Sequence, residues 1–269
     1  MKNGSASPLP LFYRNPMLLR SHEHGTFGLR RAFDFRFAAD TAVVPLVGSE
    51  FAPASRHFPI VFASDAGAVP LAVMGLATGR NLFVDGEGRW RAGAYVPGYV
   101  RRYPFIAMSA AGDAPAMLAV DSASPRIVTR AADDVEPFFD ANGAPTASSL
   151  AAMAFCESYR READQTGAFT EALKKHDLLV ERALNISYTA AKAPKAGEEA
   201  ATAEAAVNGF RVVDETKFRA LPADVAAQFH AHGWSDLVVL HLASQLGWRA
   251  LMEASVAATS ETAAVTNAE

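Results

Sequence analysis

The sequence has few cysteines, no long run of basic residues and no long apolar run, and each of these absences excludes or disfavours a class of protein. Its 269 residues include a single cysteine, Cys156, which excludes an intramolecular disulfide and a metal site built from several cysteines. The formal net charge is −4 and no long lysine or arginine run occurs, so a nucleic-acid role is disfavoured. No stretch reaches the ~18 consecutive apolar residues of a membrane span. We therefore expect no integral membrane segment.

The composition is otherwise that of a folded domain. Hydrophobic residues make up 50% of the chain and charged residues 20%, which is enough apolar surface to form a core. The first residues lack the continuous apolar stretch of a secretory signal. The sequence therefore predicts a soluble, cytoplasmic protein.

Motifs of known chemistry are also missing. No Walker-type phosphate loop, no Gly-x-Gly-x-x-Gly after a predicted strand and no Gly-x-Ser-x-Gly elbow occur. His22 with His24, or His230 with His232, could each supply two ligands to zinc or iron, but both pairs are better explained by structural roles. We predict no cofactor, no metal site and no motif-defined catalytic residue, and we interpret Cys156 as a core residue.

The part of the chain from 27 to 128 is predicted to be rich in strands. Short apolar runs alternate there with Gly, Asp and Pro turns, which favours antiparallel hairpins over parallel strands with long crossovers. The predicted strands are residues 43–47, 58–63, 69–76, 81–84, 90–95, 105–108 and 116–120.

The part from 146 to 258 is predicted to be rich in helices. A helix capped by Thr146 or Ser148 continues to about His176, because apolar residues recur there at helical spacing. Strands follow at 178–180 and 184–188, and residues 209–213 return beside 184–188. A helix that opens near Pro222 ends at Gly233, and a last helix covers 235–256.

These elements predict an α+β fold with a mostly antiparallel, short-stranded sheet in the N-terminal half and a helical C-terminal part packed on it. We predict an extended arm at residues 1–26 and a single domain at 27–258. The alanine-rich residues 190–207 are predicted to form a flexible insertion, and 259–269 a disordered tail.

The candidate binding residues lie around two adjacent arginines. In a strand, Arg101 and Tyr103 would share one face and Arg102 would take the other, so one guanidinium could face a cleft and bind an anion. Trp90, at the end of a predicted strand, could form the floor of a groove. We predict that Arg101, Arg102, Tyr103 and Trp90 line a groove for a peptide or a small anionic ligand.

A structural interpretation of the same residues is also open. In it the arginines pair with acids, and the tyrosines fill the core. The candidate acids are Asp85, Asp113 and Asp121.

A series of distinctive segments runs along most of the chain, from about residue 9 to 254. They are Phe12-Tyr13, Val44-Pro45-Leu46, Glu50-Phe51, His57-Phe58-Pro59-Ile60-Val61-Phe62, Asn81-Leu82-Phe83-Val84-Asp85, Trp90, Tyr95-Val96-Pro97, Tyr99-Val100-Arg101-Arg102-Tyr103-Pro104-Phe105, Gly209-Phe210-Arg211-Val212-Val213-Asp214-Glu215 and His241-Leu242. In these segments the sequence resembles the bacterial SapC family. The resemblance implies an α+β protein of this length without a catalytic set.

Three functions are compatible with these features. The leading hypothesis is a non-enzymatic binding or accessory protein for a peptide or small anion, with a link to surface-layer or outer-membrane uptake systems. The alternative is a metal-dependent oxygenase or transferase that uses His57 or His241. A scaffold with a protein partner would instead present a large exposed apolar patch.

Overall fold

The computed structural model describes residues 9–109, 116–130, 132–189 and 202–266. The strands are β1 Pro16–Leu18, β2 Gly28–Arg30, β3 Val43–Pro45, β4 Ile60–Ala63, β5 Pro70–Val73, β6 Phe105–Ser109, β7 Ala116–Asp121, β8 Ile127–Val128, β9 Val135–Pro137, β10 Leu179–Thr189 and β11 Thr202–Val213. The α helices are α1 Ser21–His24, α2 Phe51–Ala54, α3 Gly98–Arg102, α4 Ala147–Lys175, α5 Glu215–Arg219, α6 Ala223–Ala231, α7 Trp234–Ser244 and α8 Gly247–Thr266.

The strands form three sheets, and all of their registered pairs in the described residues are antiparallel. The orders are β1-β7-β6, β8-β2-β9 and β10-β11-β4-β5-β3. The sheets lie mostly in the N-terminal half and the helices mostly in the C-terminal part, so the predicted α+β class is confirmed. Among the described residues, no helix combines the length and apolar character that crossing a membrane requires.

The chain divides into two compact units. Unit 1 consists of Met1–Phe37 and Tyr99–Arg161, and unit 2 of Ala38–Gly98 and Glu162–Glu269. Unit 1 contains the two three-stranded sheets, and unit 2 contains the five-stranded sheet.

The core of unit 1 lies under its two small sheets. Its buried centre is Leu19, Val120 and Phe138, with further apolar residues packed around them. Asp121 at the end of β7 is fully buried, and its carboxylate accepts hydrogen bonds from the backbone N–H groups of Arg14 (3.2 Å) and Asn15 (2.7 Å). Because a buried carboxylate requires such donors, Asp121 fixes the chain before β1 against β7.

The core of unit 2 is dominated by phenylalanine. Phe169 of α4 contacts both Phe51 and Phe62, each with its ring centre 6.2 Å away. Phe62 belongs to β4, and its ring lies 5.0 Å from the imidazole of His241 on α7. The core therefore joins β4 of the five-stranded sheet to α2, α4 and α7.

Polar side chains of α7 complete the hydrogen bonds of the sheet where β4 and β11 separate. Those two strands pair at Phe210 with Ala63 and Arg211 with Phe62. Beyond that point Ser244 accepts from the N–H of Ile60 (2.9 Å), and Gln245 donates to the carbonyl of Ile60 (2.8 Å). The helix thus satisfies buried backbone groups that strand pairing leaves open.

Several predicted elements occur at the expected positions. The β4–β5 and β6–β7 hairpins are present, and α4 begins directly after Thr146. Helix α6 follows Pro222, and Gly233 adopts a left-handed φ of 69° beyond its end, as a helix-stopping glycine does.

Other predictions differ from the structure. The single helix predicted for 235–256 is wrong, because the chain breaks after Ser244 and α8 begins at Gly247. A Cβ atom at Gly247 would lie 3.3 Å from the backbone nitrogen of Pro59, so a side chain there would be tightly packed against Pro59 and glycine favours this close approach. The start of α8 is thereby placed against the residues that precede β4.

The register of the C-terminal hairpin and the ends of the chain also differ. Leu179 pairs with Val213, so the segment 209–213 lies beside 179–182 and not beside 184–188. The predicted arm contains β1 and α1, and α8 includes residues 259–266 of the predicted tail. Of the predicted insertion 190–207, residues 190–201 lie outside the described residues and 202–207 belong to β11.

Ser244→Ala tests the contact between α7 and the sheet. We expect a loss of about 1–3 kcal/mol in the free energy of unfolding, because the buried N–H of Ile60 loses its acceptor. Urea denaturation measures this. Ser55→Ala is the control, since the Ser55 hydroxyl donates only to a carbonyl of its own turn; equal losses in the two variants would contradict the role of Ser244.

Candidate anion-binding site

The predicted strand through Arg101 and Arg102 is a short helix, α3. Pro97 directly precedes the helix, and Pro104 stops it because a residue before proline disfavours the helical conformation. Successive helical side chains are about 100° apart, so the two arginines do not point to opposite faces as strand residues would.

Arg102 is enclosed by tyrosine rings. Its guanidinium carbon lies 4.6 Å from the ring centre of Tyr99, 4.7 Å from that of Tyr159 and 5.8 Å from that of Tyr13. Such short distances place the cation over the negative ring faces. The Arg102 Nε atom is buried without a hydrogen bond, whereas the rest of the guanidinium also donates hydrogen bonds to the Tyr13 and Tyr99 side chains.

Arg101 and Tyr103 have different environments. Arg101 is exposed, with its guanidinium 5.2 Å from the ring centre of Phe155. Tyr103 is buried, and its hydroxyl donates to Asp121 (2.9 Å). Burial, together with this carboxylate, raises the pKa of Tyr103 to about 12, so the phenol is protonated and serves as a donor.

Two of the three acids that could have paired with Arg101 and Arg102 have other partners, and the third lies outside the described residues. Asp121 accepts from Tyr103, and Asp85 pairs with Arg89 at 2.8 Å. Asp113 lies outside the described residues.

Trp90 belongs to unit 2, whereas the other three predicted ligand residues belong to unit 1. Its indole N–H donates to the carbonyl of Tyr95 (3.2 Å), and its ring stacks on Phe83 with centres 6.2 Å apart. The binding role of Trp90, Arg101, Arg102 and Tyr103 stays a prediction.

His241, the candidate of the enzymatic alternative, is a buried structural residue. Its Nε2 accepts the backbone N–H of Val213 (3.0 Å), so in the neutral ring the proton resides on Nδ1. Burial lowers its pKa to about 4, which the carbonyl of Ile60 opposes only in part. Within the described ranges, no three His, Cys, Asp or Glu side chains lie close enough together to hold a metal ion.

Cys156 is buried, as a core residue should be. Burial raises the pKa of its thiol to about 11, so the reactive thiolate is disfavoured.

A cationic cavity of about 350 Å³ lies within unit 2. Its wall brings together Arg56 and His57, which follow α2, and Arg91, which follows Trp90; none of the described wall residues is acidic. The remaining wall is uncharged and consists of Phe83, Ala92, Gly93, Ala94, Ala250 and Leu251. We name this feature the cationic cavity.

Arg91 is held in place by the turn that precedes it. Asp85 accepts the backbone N–H of Arg89 (2.9 Å), and the N–H of Arg91 then donates to the carbonyl of Phe83 (2.8 Å). The Arg91 guanidinium donates to the carbonyl of Leu82 (2.9 Å) and lies 4.5 Å from the ring centre of Phe83. Its charge therefore has a defined position before any ligand arrives.

Arg56 and His57 belong to a segment that lies well before Arg91 in the sequence, and they supply the other charges of the cavity. The backbone N–H of His57 donates to Ala54 (2.9 Å), which continues the turn of α2. Partial burial lowers the pKa of His57, and the charge of Arg56 lowers it further. In the described part of the chain Arg56 has no ion-pair partner, so its guanidinium is available to a ligand.

Only part of this cavity was indicated by the sequence. It singled out His57 and Trp90, whose ring stacks on the wall residue Phe83. Arg56 and Arg91 were missed because 35 positions separate them, and only the Asp85 turn and the α2 turn bring them to one cavity. The Asp85-Gly86-Glu87-Gly88 turn was the available local clue.

The fold and the cavity define an α+β protein with a preformed cationic pocket. The SapC family model matches residues 19–251, and the chain belongs to the SapC family. Comparison with curated proteins gave no match, and comparison with solved structures gave none either.

Arg102→Ala and Arg101→Ala test the division of roles in α3. We expect Arg102→Ala to cost about 2 kcal/mol of unfolding free energy, because three tyrosine rings lose their cation. Arg101→Ala should change stability little, since Arg101 is exposed. Urea denaturation of both variants measures the difference, and equal stability losses would contradict the aromatic enclosure of Arg102.

The buried His241 predicts a specific pH dependence of stability. Its pKa is lowered from 6.5 to about 4 in the folded state, so the unfolded state takes up the proton first as the pH falls. The folded protein should keep its full stability above pH ~6.5 and lose about 3 kcal/mol between there and pH ~4. His241→Gln should not show this loss when the free energy of unfolding is measured at several pH values across the same range. If the wild type and the variant lose stability in parallel as the pH falls, His241 is not responsible.

Proposed function

We propose that this protein binds a small organic anion in the cationic cavity and acts as a binding or accessory protein. The observation that carries the proposal is the convergence of Arg56, His57 and Arg91 on a wall without a described acidic residue. Carboxylate and phosphate are the natural partners of such a set, because guanidinium groups donate in a planar fork.

Electrostatics support this ligand class. Burial and then the charge of Arg56 lower the pKa of His57, so the imidazole lies within reach of the Arg56 charge. A bound anion would stabilise the protonated imidazole and raise its pKa. Binding should therefore become tighter as the pH falls through the range in which His57 takes up a proton.

The volume of the cavity and the uncharged part of its wall favour an organic anion over an inorganic one. A volume of about 350 Å³ lies at the small end of the range for ligand pockets, roughly 300–1,000 Å³. Phe83, Ala94 and Leu251 offer apolar contact to the part of the ligand that carries no charge. The carboxylate end of a peptide has the same chemistry and is the second ligand to test.

The chemistry of the wall favours binding over catalysis. The described wall residues supply two cations, one imidazole and one aromatic ring, but no hydroxyl, thiol or carboxylate side chain that could act as a nucleophile or orient His57 as a base. The SapC family assignment is compatible with an accessory role, and the link to surface-layer or outer-membrane uptake systems remains part of the proposal.

The His57 imidazole provides a direct reporter of ligand binding. In NMR titrations with citrate, inorganic phosphate and a short peptide with a free carboxyl end, we expect a saturable rise in the pKa of His57, largest for the preferred anion. Arg56→Ala and Arg91→Ala should each weaken binding about tenfold, because each removes one charged donor.

Arg219→Ala is the matched control, because Arg219 is an exposed arginine of unit 2 that pairs with Glu215 away from the cavity wall. Its affinity should equal that of the wild type. An unchanged His57 pKa with all three probes, or equal affinity in Arg56→Ala, Arg91→Ala and Arg219→Ala, would refute the proposal.

A further inference from the structure

We propose that unit 1 contains a second binding site, for an uncharged apolar molecule with one hydrogen-bonding end. The site is a cavity of about 490 Å³ bordered by α1, β7, the start of α4 and the residues that precede it. We name it the apolar cavity. It is independent of the cationic cavity, whose wall lies entirely in unit 2.

Hydrophobic side chains on α4 and β7 face this cavity without being covered. Leu150 of α4 is 59% exposed and Met117 of β7 is 37% exposed, and both belong to its wall together with Met153. Leu150 and Met153 are three residues apart and therefore share one face of the helix. The flexible thioether side chains of the two methionines can adapt to the shape of a ligand.

The cavity is continuous with the core of unit 1. Leu19, Leu118 and Phe139 line it and also belong to the hydrophobic cluster around Val120 and Phe138. An apolar ligand here would extend that core and form van der Waals contacts with the atoms of the wall. Volume and lining match those of small-molecule sites, which are mostly apolar with few polar groups.

Polar groups at α1 indicate an uncharged ligand. The carboxylate of Glu23 contacts both Arg20, at 3.2 Å, and His22, at 3.1 Å, so the guanidinium charge next to the cavity already has a partner. The hydroxyl of Ser21 forms no hydrogen bond to the described part of the chain and lies next to Gly143. It can bind a hydroxyl or carbonyl at one end of the ligand.

Methionine methyl groups report on this site directly. In protein labelled at the methionine methyls, decanol should shift the signals of Met117 and Met153 in a saturable manner and leave Met74 of unit 2 unchanged. Decanoate should bind more weakly, because its carboxylate would compete with Glu23 for Arg20 and His22.

Two variants test the wall and the polar end separately. Leu150→Gln should weaken decanol binding about tenfold, and its exposure makes normal folding the expected outcome. Ser21→Ala should weaken it about fivefold, the value of one hydrogen bond. Leu246→Gln is the control, because Leu246 is an 84% exposed leucine of unit 2.

Saturable shifts at Met117 and Met153 that Leu150→Gln weakens and Leu246→Gln does not would support the site. Uniform shifts of all methionines, no saturable shift, or equal affinity in the two leucine variants would overturn it, and tighter binding of decanoate would overturn the uncharged ligand class. His57 signals recorded in the same samples test the cationic cavity separately, so failure at one site is distinguishable from failure at the other.

Discussion

The hydrogen bonds between α7 and the ends of β4 and β11 determine the architecture of unit 2. His241 and Ser244 in the last turns of α7, with Gln245 directly after its end, satisfy backbone groups of Ile60 and Val213. Each of these groups would otherwise be a buried, unpaired donor or acceptor. The helix and the sheet can therefore adopt few relative positions, since a shift of either would break several hydrogen bonds at once.

The same contact positions the cationic cavity. Gln245 binds Ile60, and Gly247 then passes so close to Pro59 that a Cβ atom would lie 3.3 Å from its nitrogen. Helix α8 starts at this point and contributes Ala250 and Leu251 to the cavity wall, opposite a chain segment only a few residues before β4. Gln245 and the close-packed Gly247 thus position the start of α8 in the wall that contains Arg56 and His57.

The sequence predicts those parts of the fold that short-range patterns encode. The α+β class, helix α4, the β4–β5 hairpin and the Gly233 stop follow from periodicity and turn residues. The break between α7 and α8 does not, because apolar residues keep a helical spacing across it and the hydrogen bond of Gln245 to Ile60 joins residues distant in sequence. The cationic cavity was not predicted, since its cations meet only through contacts distant in sequence.

Two arginines that are adjacent in the sequence do not form the same kind of site as two arginines that converge on one cavity. Arg101 and Arg102 form the most prominent cationic pair in the sequence, yet the tyrosine rings around Arg102 already provide that cation with partners. Arg56 and Arg91 are far apart in the sequence but share a cavity without a described acid. The whole chain carries a net charge of −4, so attraction of an anion depends on this local arrangement and not on the overall charge. Because exposed charges more than a Debye length away are screened, the distant acids of the chain would weaken binding of the proposed anion little.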